Sequence, residues 1–168
     1  MEKIAKFLRV SAPNFSAAFS KAFPDKPLPD IDGIPLPVRA TQGSAGYDFF
    51  SPCDFTLAPG ETVKIPTGIR AKIADGWVLM IFPRSGLGFQ YRLQLDNTVG
   101  VIDSDYFGSE NEGHIFVKLT NDGKTGKTLS VKQGEAFCQG VFLPFGVTED
   151  DETSAVRNGG FGSTTKRS

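Results

Sequence analysis

Asp103 and Asp105 stand two residues apart in Asn97-Thr98-Val99-Gly100-Val101-Ile102-Asp103-Ser104-Asp105-Tyr106, a stretch that gathers two carboxylates, an amide and a phenol around the apolar Val99–Ile102. At strand period the two acids face the same way if the strand runs on through them, and a carboxylate so placed can act as a general base toward water. The same two acids would equally cap a turn. A second segment, Pro83-Arg84-Ser85-Gly86-Leu87-Gly88, joins a planar five-donor guanidinium to a hydroxyl and to a glycine that lets backbone N–H groups approach an anion. That set suits phosphate, although an ordinary strand-to-helix turn has the same composition. It is not a P-loop, because no GxxxxGK[ST] occurs in the chain. Gly43–Asp48 opens a strand with a carboxylate after a flexible turn, and alone reads as an Asp-capped turn. Arg157, Phe161 and the hydroxyls of Ser163 and Thr164 lie on a glycine-loosened tail that could close over an anion carrying a ring. Together these supply phosphate donors, a candidate base, an aromatic stacker and a closure, an inventory that fits hydrolysis of a nucleoside phosphate.

The elements that must position these groups are short. Residues 3–10 read as a strand, and Phe15, Ala18, Phe19 and Ala22 recur at helical spacing until Pro24 stops the helix. Five prolines between Pro24 and Pro37 mark an extended surface loop. From Ala45 onward the pattern is β: Thr62–Ile65, Ile69–Ile73, Trp77–Phe82, His114–Thr120 and Phe137–Phe145 alternate with turn signals. In His114–Thr120, Ile115, Val117 and Leu119 face one way and His114, Lys118 and Thr120, with Phe116, the other. Strands at this spacing without intervening long helices predict an all-β sandwich or jelly roll. Asp150–Ser168, acidic and glycine-rich, cannot bury a face of its own and is expected to be a mobile tail.

Composition excludes several classes. Among 168 residues, 18 Lys plus Arg oppose 19 Asp plus Glu, a net charge of -1 that does not suit neutralising a nucleic-acid polyanion. The 15 Phe suffice for one sizeable core, while 19 Gly and 11 Pro leave little room for long helices. No apolar run approaches a membrane span, and the charged start MEKIAKFLRVSAP lacks a secretory apolar region, so a cytoplasmic protein is expected. Cys53 and Cys138 read as reduced thiols, and with one His they form no zinc set.

Five motifs then appear in a specific order: AGYD at Ala45–Asp48, PRSG at Pro83–Gly86, NTVGVIDSDY at Asn97–Tyr106, GEAFCQ at Gly134–Gln139 and GGFGST at Gly159–Thr164. In these, from about Ile34 to Thr164, the chain resembles the trimeric-type dUTP pyrophosphatases (dUTPases). The resemblance implies a β-clip or jelly-roll domain over residues 1–156, with the helix and Pro-rich insertion at about 14–33, and a C-terminal arm over 157–168. It implies a homotrimer with shared active sites and Mg²⁺-dependent hydrolysis of dUTP to dUMP and pyrophosphate, keeping uracil out of DNA and supplying dUMP for dTMP synthesis. By the same resemblance Asp103 activates the water that attacks the α-phosphate. Tyr106 packs under deoxyribose and excludes a ribose 2'-hydroxyl, while Asn97, Gly100 and their hairpin read uracil. Arg84, Ser85, Gly86 and Gln139 contact phosphates. Arg157 holds the γ-phosphate, and Phe161, with Gly162 and Ser163, closes over the base. By the resemblance no residue ligates the metal directly, and Asp48 has an indirect role on it, through water, or a structural one.

The chain departs from that pattern in places. Ala136 and Gly140 replace the usual Arg and Leu of the fourth motif, the Arg157-to-Gly159 spacing is one residue short, and Ser109–Gly113 is a short insertion. Both this insertion and the segment at 14–33 read as surface elaborations. A dCTP deaminase of the same fold needs a Glu on the strand after the third motif, and HIFVKLTN has none. A regulatory protein on this fold is the alternative of another class, and the presence of Asp103, Tyr106 and Phe161 disfavours it.

Overall fold

The structure is a computed structural model and describes residues 2–155 and 157. Its strands in chain order are β1 (Ala5–Arg9), β2 (Val38–Arg39), β3 (Tyr47–Phe50), β4 (Phe55–Leu57), β5 (Thr62–Pro66), β6 (Ile69–Ile73), β7 (Trp77–Pro83), β8 (Leu93–Leu95), β9 (Gly100–Ile102), β10 (Phe116–Asn121), β11 (Leu129–Val131) and β12 (Ala136–Pro144). Two helices, α1 (Ala12–Ala22) and α2 (Ser85–Tyr91), interrupt them. No helix among the described residues is long and apolar enough to cross a membrane.

The largest sheet runs β2-β3-β12-β7-β9, and a second runs β5-β10-β8; β1 pairs with β6 and β4 with β11. All of these pairings are antiparallel. Alternation decides what each strand buries: Phe55 and Leu57 on β4, Leu79 and Ile81 on β7, and Val117 and Leu119 on β10 all turn inward. With Phe49 and Phe137 they make one core between the sheets. Cys53 and Cys138 are buried in it and unbonded, and burial pushes the Cys53 thiol up to about 11.

The segment at 14–33 is not a surface elaboration. Ser11 caps α1 by accepting the Asn14 N–H, Pro13 occupies the first turn, and the predicted apolar face buries Phe15 and Phe19 at 1% and 0% exposure. Their rings lie 5.5 Å apart, and Phe19 packs on Phe23 at 5.2 Å. Each such side chain contributes about 2–3 kcal/mol by burial. Downstream, the Pro-rich stretch is largely exposed, as expected, but Ile31 and Ile34 pin it to the core.

Candidate active site

Two groups of predicted site residues sit at opposite ends of the five-stranded sheet. At the first, Asp48 on β3 lies opposite Gln139 on β12, which lies opposite Phe82 on β7. β7 ends at Pro83, and Arg84 turns back over the strand ends, its Nε 3.2 Å from Asp48 Oδ1 and its Nη1 donating to the Ala136 carbonyl at 3.3 Å. Gln139 Nε2 donates to the Pro83 carbonyl at 3.1 Å. These groups line a pocket of about 320 Å³ with Ser44, Ser85, Gly86 and Gln90. Gly46 is needed here for space: a Cβ on it would stand 2.4 Å from Gln139 Oε1. Ser44 and Gln90 line the pocket without a distinct signal in the sequence: Ser44 sits inside the Gly43–Asp48 turn, whereas Gln90 is brought in by α2. The pocket offers cationic, amide and hydroxyl donors to an anion.

At the other end β9 stops at Ile102. The chain then enters a 3₁₀ turn, Ser104–Gly108, so Asp103 and Asp105 do not share a strand face as period-two alternation would have it. Both acids instead meet one cation: Arg157 donates to Asp103 Oδ2, and its Nε lies 3.0 Å from Asp105 Oδ1. Of the tail residues, Arg157 is thus placed beside Asp103 rather than in the Arg84 pocket; Phe161, Gly162 and Ser163, with the rest of the expected arm at 158–168, lie outside the described residues. Tyr106 is 4% exposed, with the Arg157 guanidinium carbon 5.8 Å from its ring centroid. Its hydroxyl donates to the His114 carbonyl and accepts from Asn111 Nδ2, both at 2.8 Å. Burial raises its phenol above the ordinary range.

Asn97 stands exposed in the turn before β9, next to Thr98 with φ of 67°. This turn is not a hairpin between paired strands, since β8 and β9 belong to different sheets. Gly100 is buried against Ile81, where a Cβ would come within 3.0 Å of the Ile81 Cβ.

The register measures the gap between the two groups. Ile102 pairs with Leu79, and Arg84 follows Pro83, so the strand from Leu79 to Arg84 separates Asp103 from the anion pocket by about 17 Å of backbone. One protomer therefore brings Asp48, Arg84, Ser85 and Gln139 together, and separately Asp103, Tyr106 and Arg157. It does not bring the two sets within reach of one phosphate.

Fold and site together define an antiparallel β protein with a polar pocket built around an Arg84–Asp48 pair and, at the far end of the sheet, a loop carrying an acid and a buried phenol. The family model dUTPase matches residues 32–165. A deoxyuridine 5'-triphosphate nucleotidohydrolase of Lactococcus lactis is 44% identical over 135 residues, 79% of this chain and 89% of that protein. The crystal structure of dUTPase from Streptococcus mutans superposes with a TM-score of 0.62 at 33% identity, covering 85% of this chain and 98% of that one. The dUTPase of phage phi11 of S. aureus, described with a structural Mg(II) ion, shares the fold at 20% identity and a TM-score of 0.63, over 91% and 98% of the two chains. The chain belongs to the dUTPase family.

Proposed function

We propose that this dUTPase-family chain hydrolyses dUTP to dUMP and pyrophosphate by attack of water on the α-phosphate, at sites completed between the chains of a homotrimer. The observation that carries the reading is the placement of the family's polar residues at two ends of one sheet, about 17 Å apart along β7. Each end carries half of what the reaction requires, and a symmetric assembly that sets one protomer's pocket against its neighbour's Asp103 loop supplies both.

In that arrangement Asp103 orients the water and takes its proton as the oxygen bonds to the α-phosphorus. The bond from that phosphorus to the bridging oxygen breaks, and pyrophosphate leaves with the electron pair. Arg84, Ser85 and Gln139 hold the phosphate oxygens, and preorganised donors stabilise the charge that develops on them. Tyr106, packed under the sugar, refuses a 2'-hydroxyl, and the Asn97–Gly100 turn reads the uracil edge. Arg157, now on Asp103 and Asp105, belongs to the arm that in the assembled site would exchange these acids for substrate phosphate.

The donor set fits magnesium carried in by the triphosphate. One carboxylate, Asp48, lies in the anion pocket, already paired with Arg84, and no group of three His, Cys, Asp or Glu gathers among the described residues. Magnesium commonly keeps its waters and substrate phosphates as ligands, which leaves Asp48 a water-bridged role. When bound, the ion neutralises phosphate charge.

A nucleotide panel tests the reading. With Mg²⁺, pyrophosphate should be released from dUTP, and far more slowly from dCTP, dTTP and UTP. Ammonia release from dCTP, or binding of dUTP without turnover, would replace it with deamination or a binding role.

A further inference from the structure

Tyr106 is held by a closed hydrogen-bond circuit made by residues outside the five motifs. His114 is fully buried, and its ring nitrogens face unlike partners. The Gly68 N–H donates to Nε2 at 2.9 Å, so the ring proton sits on Nδ1, which donates to Asn14 Oδ1 at 2.9 Å. That fixes the Asn14 amide, whose Nδ2 donates to the Asn111 carbonyl at 3.1 Å. Asn111 Oδ1 accepts from the Gly113 N–H at 3.2 Å, which turns Nδ2 onto the Tyr106 hydroxyl at 2.8 Å. The hydroxyl donates to the His114 carbonyl, and the circuit closes with a donor facing an acceptor at each step.

The loop carrying Asn111 has little freedom to relax. Glu112 accepts the Ser11 N–H at 2.7 Å and the Ser11 hydroxyl at 2.6 Å, which clamps the loop to the start of α1. Gly113 has φ of 69°, and a Cβ there would lie 2.7 Å from the Tyr106 carbonyl oxygen. The segment at 14–33 and the insertion at 109–113 therefore form one brace, and its inner end is the Tyr106 hydroxyl.

We propose that Asn111 is a positioning residue for sugar selection: braced from α1 by Asn14, it fixes the height and tilt of the Tyr106 ring and so sets how strictly a 2'-hydroxyl is refused. This rests on the reading that Tyr106 packs under the sugar. Refusing a single oxygen by shape demands placement within about 0.5 Å, and a ring anchored only at its Cβ can tilt by more. Pinning its far end removes that slack.

The experiment measures kcat and KM for dUTP and UTP, with Mg²⁺ and the protein in its native assembly, for Asn111→Ala, Tyr106→Phe, the double variant, Asn14→Ala and Tyr106→Ala. Asn111→Ala should lower the dUTP-over-UTP ratio of kcat/KM about fivefold, the worth of one hydrogen bond. The change should come mainly from improved UTP turnover, with kcat on dUTP nearly unchanged. Tyr106→Phe should lower the ratio at least as far, since it loses the His114 carbonyl as well as Asn111, and the double variant should be no worse than Tyr106→Phe alone, because the Asn111–Tyr106 contact is already cut in it. Asn14→Ala should lower the ratio about twofold, and it takes Asn111→Ala's place in the cycle if that variant does not fold. An unchanged ratio in Asn111→Ala, or independent multiplying effects in the double variant, overturns the proposal by showing that the loop is only structural. Tyr106→Ala separates the two levels. If it leaves the ratio intact, the role of Tyr106 itself fails; if it collapses the ratio while Asn111→Ala does not move it, the positioning role alone fails.

Discussion

At one end of the five-stranded sheet, Arg84, Asp48 and Gln139 face an open pocket and lean on neighbouring strands through one or two contacts each. At the other, Tyr106 is buried and tied to Asn111 and His114, and through them to a helix about a hundred residues earlier in the chain. The difference matches what the proposed function would have each end recognise. Attraction between a guanidinium and a phosphate falls off slowly with distance, so a donor on a pliant side chain loses little by moving. Exclusion of one hydroxyl works through contact repulsion, which vanishes with a small retreat of the ring. Under the proposed function, charge would be recognised by adaptable groups at the strand ends, and shape by a loop locked from behind.

The largest effect should come from the acid at the locked end. Asp103→Asn keeps size and hydrogen bonding but cannot take a proton, so kcat should fall about a thousandfold while a non-hydrolysable dUTP analogue still binds. Retained turnover would remove Asp103 as the base. At the adaptable end, Arg84→Ala should lower kcat/KM about a hundredfold. Co-expressing the two variants then tests whether the ends meet between chains. If a site takes Arg84 from one chain and Asp103 from another, random mixing leaves about a quarter of the sites intact, and activity returns to about that level. A mixed preparation as inactive as its parts would place both residues in one protomer's site.

A third effect is on stability rather than turnover, and it belongs to the brace. His114 is neutral and accepts from Gly68 N–H, and burial lowers its pKa to about 4 from an ordinary 6.5. Between those values the unfolded chain binds a proton that the folded chain refuses, so folding stability falls as pH drops from about 6.5 to about 4, by about 3 kcal/mol. Glu112 is held below its ordinary 4.5 by the Ser11 hydroxyl and N–H, so its contribution is present above that pH and is lost only below it. Urea unfolding at pH 6.5, 5.5 and 4.5 would show the slope. A flat response would mean that His114 is not held neutral.

Much of this was legible in the residues because it depends on local pattern. Ile69–Ile73 follows from period-two alternation, Trp77–Phe82 from a short apolar run after the Ala74-Asp75-Gly76 turn signal, and the apolar face of α1 from helical spacing. Three features escaped for one physical reason, that chain direction after an element's last residue is set by distant packing. Whether Asp103 and Asp105 share a strand face or sit in a turn is open in the sequence, and the structure decides for the turn, because β9 ends at Ile102. Alternation puts His114 on the face of Lys118 and Thr120, but the strand begins only at Phe116, so the rule does not reach His114, which is buried. The insertions read as surface material because neither segment shows, alone, that its polar groups will meet those of the other.

The sequence alone determined the family, the β architecture and the chemical kinds of the site groups, since motif order, alternation and residue type are all properties of a linear string. Tertiary structure decided where those groups stand. It set Asp48, Arg84 and Gln139 at one end of the sheet and Asp103 with Tyr106 at the other, because strand register converts sequence separation into distance. It also joined Asn14 to Asn111 and His114, a pairing of buried donors and acceptors that exists only once the chain has folded and water is no longer there to satisfy them.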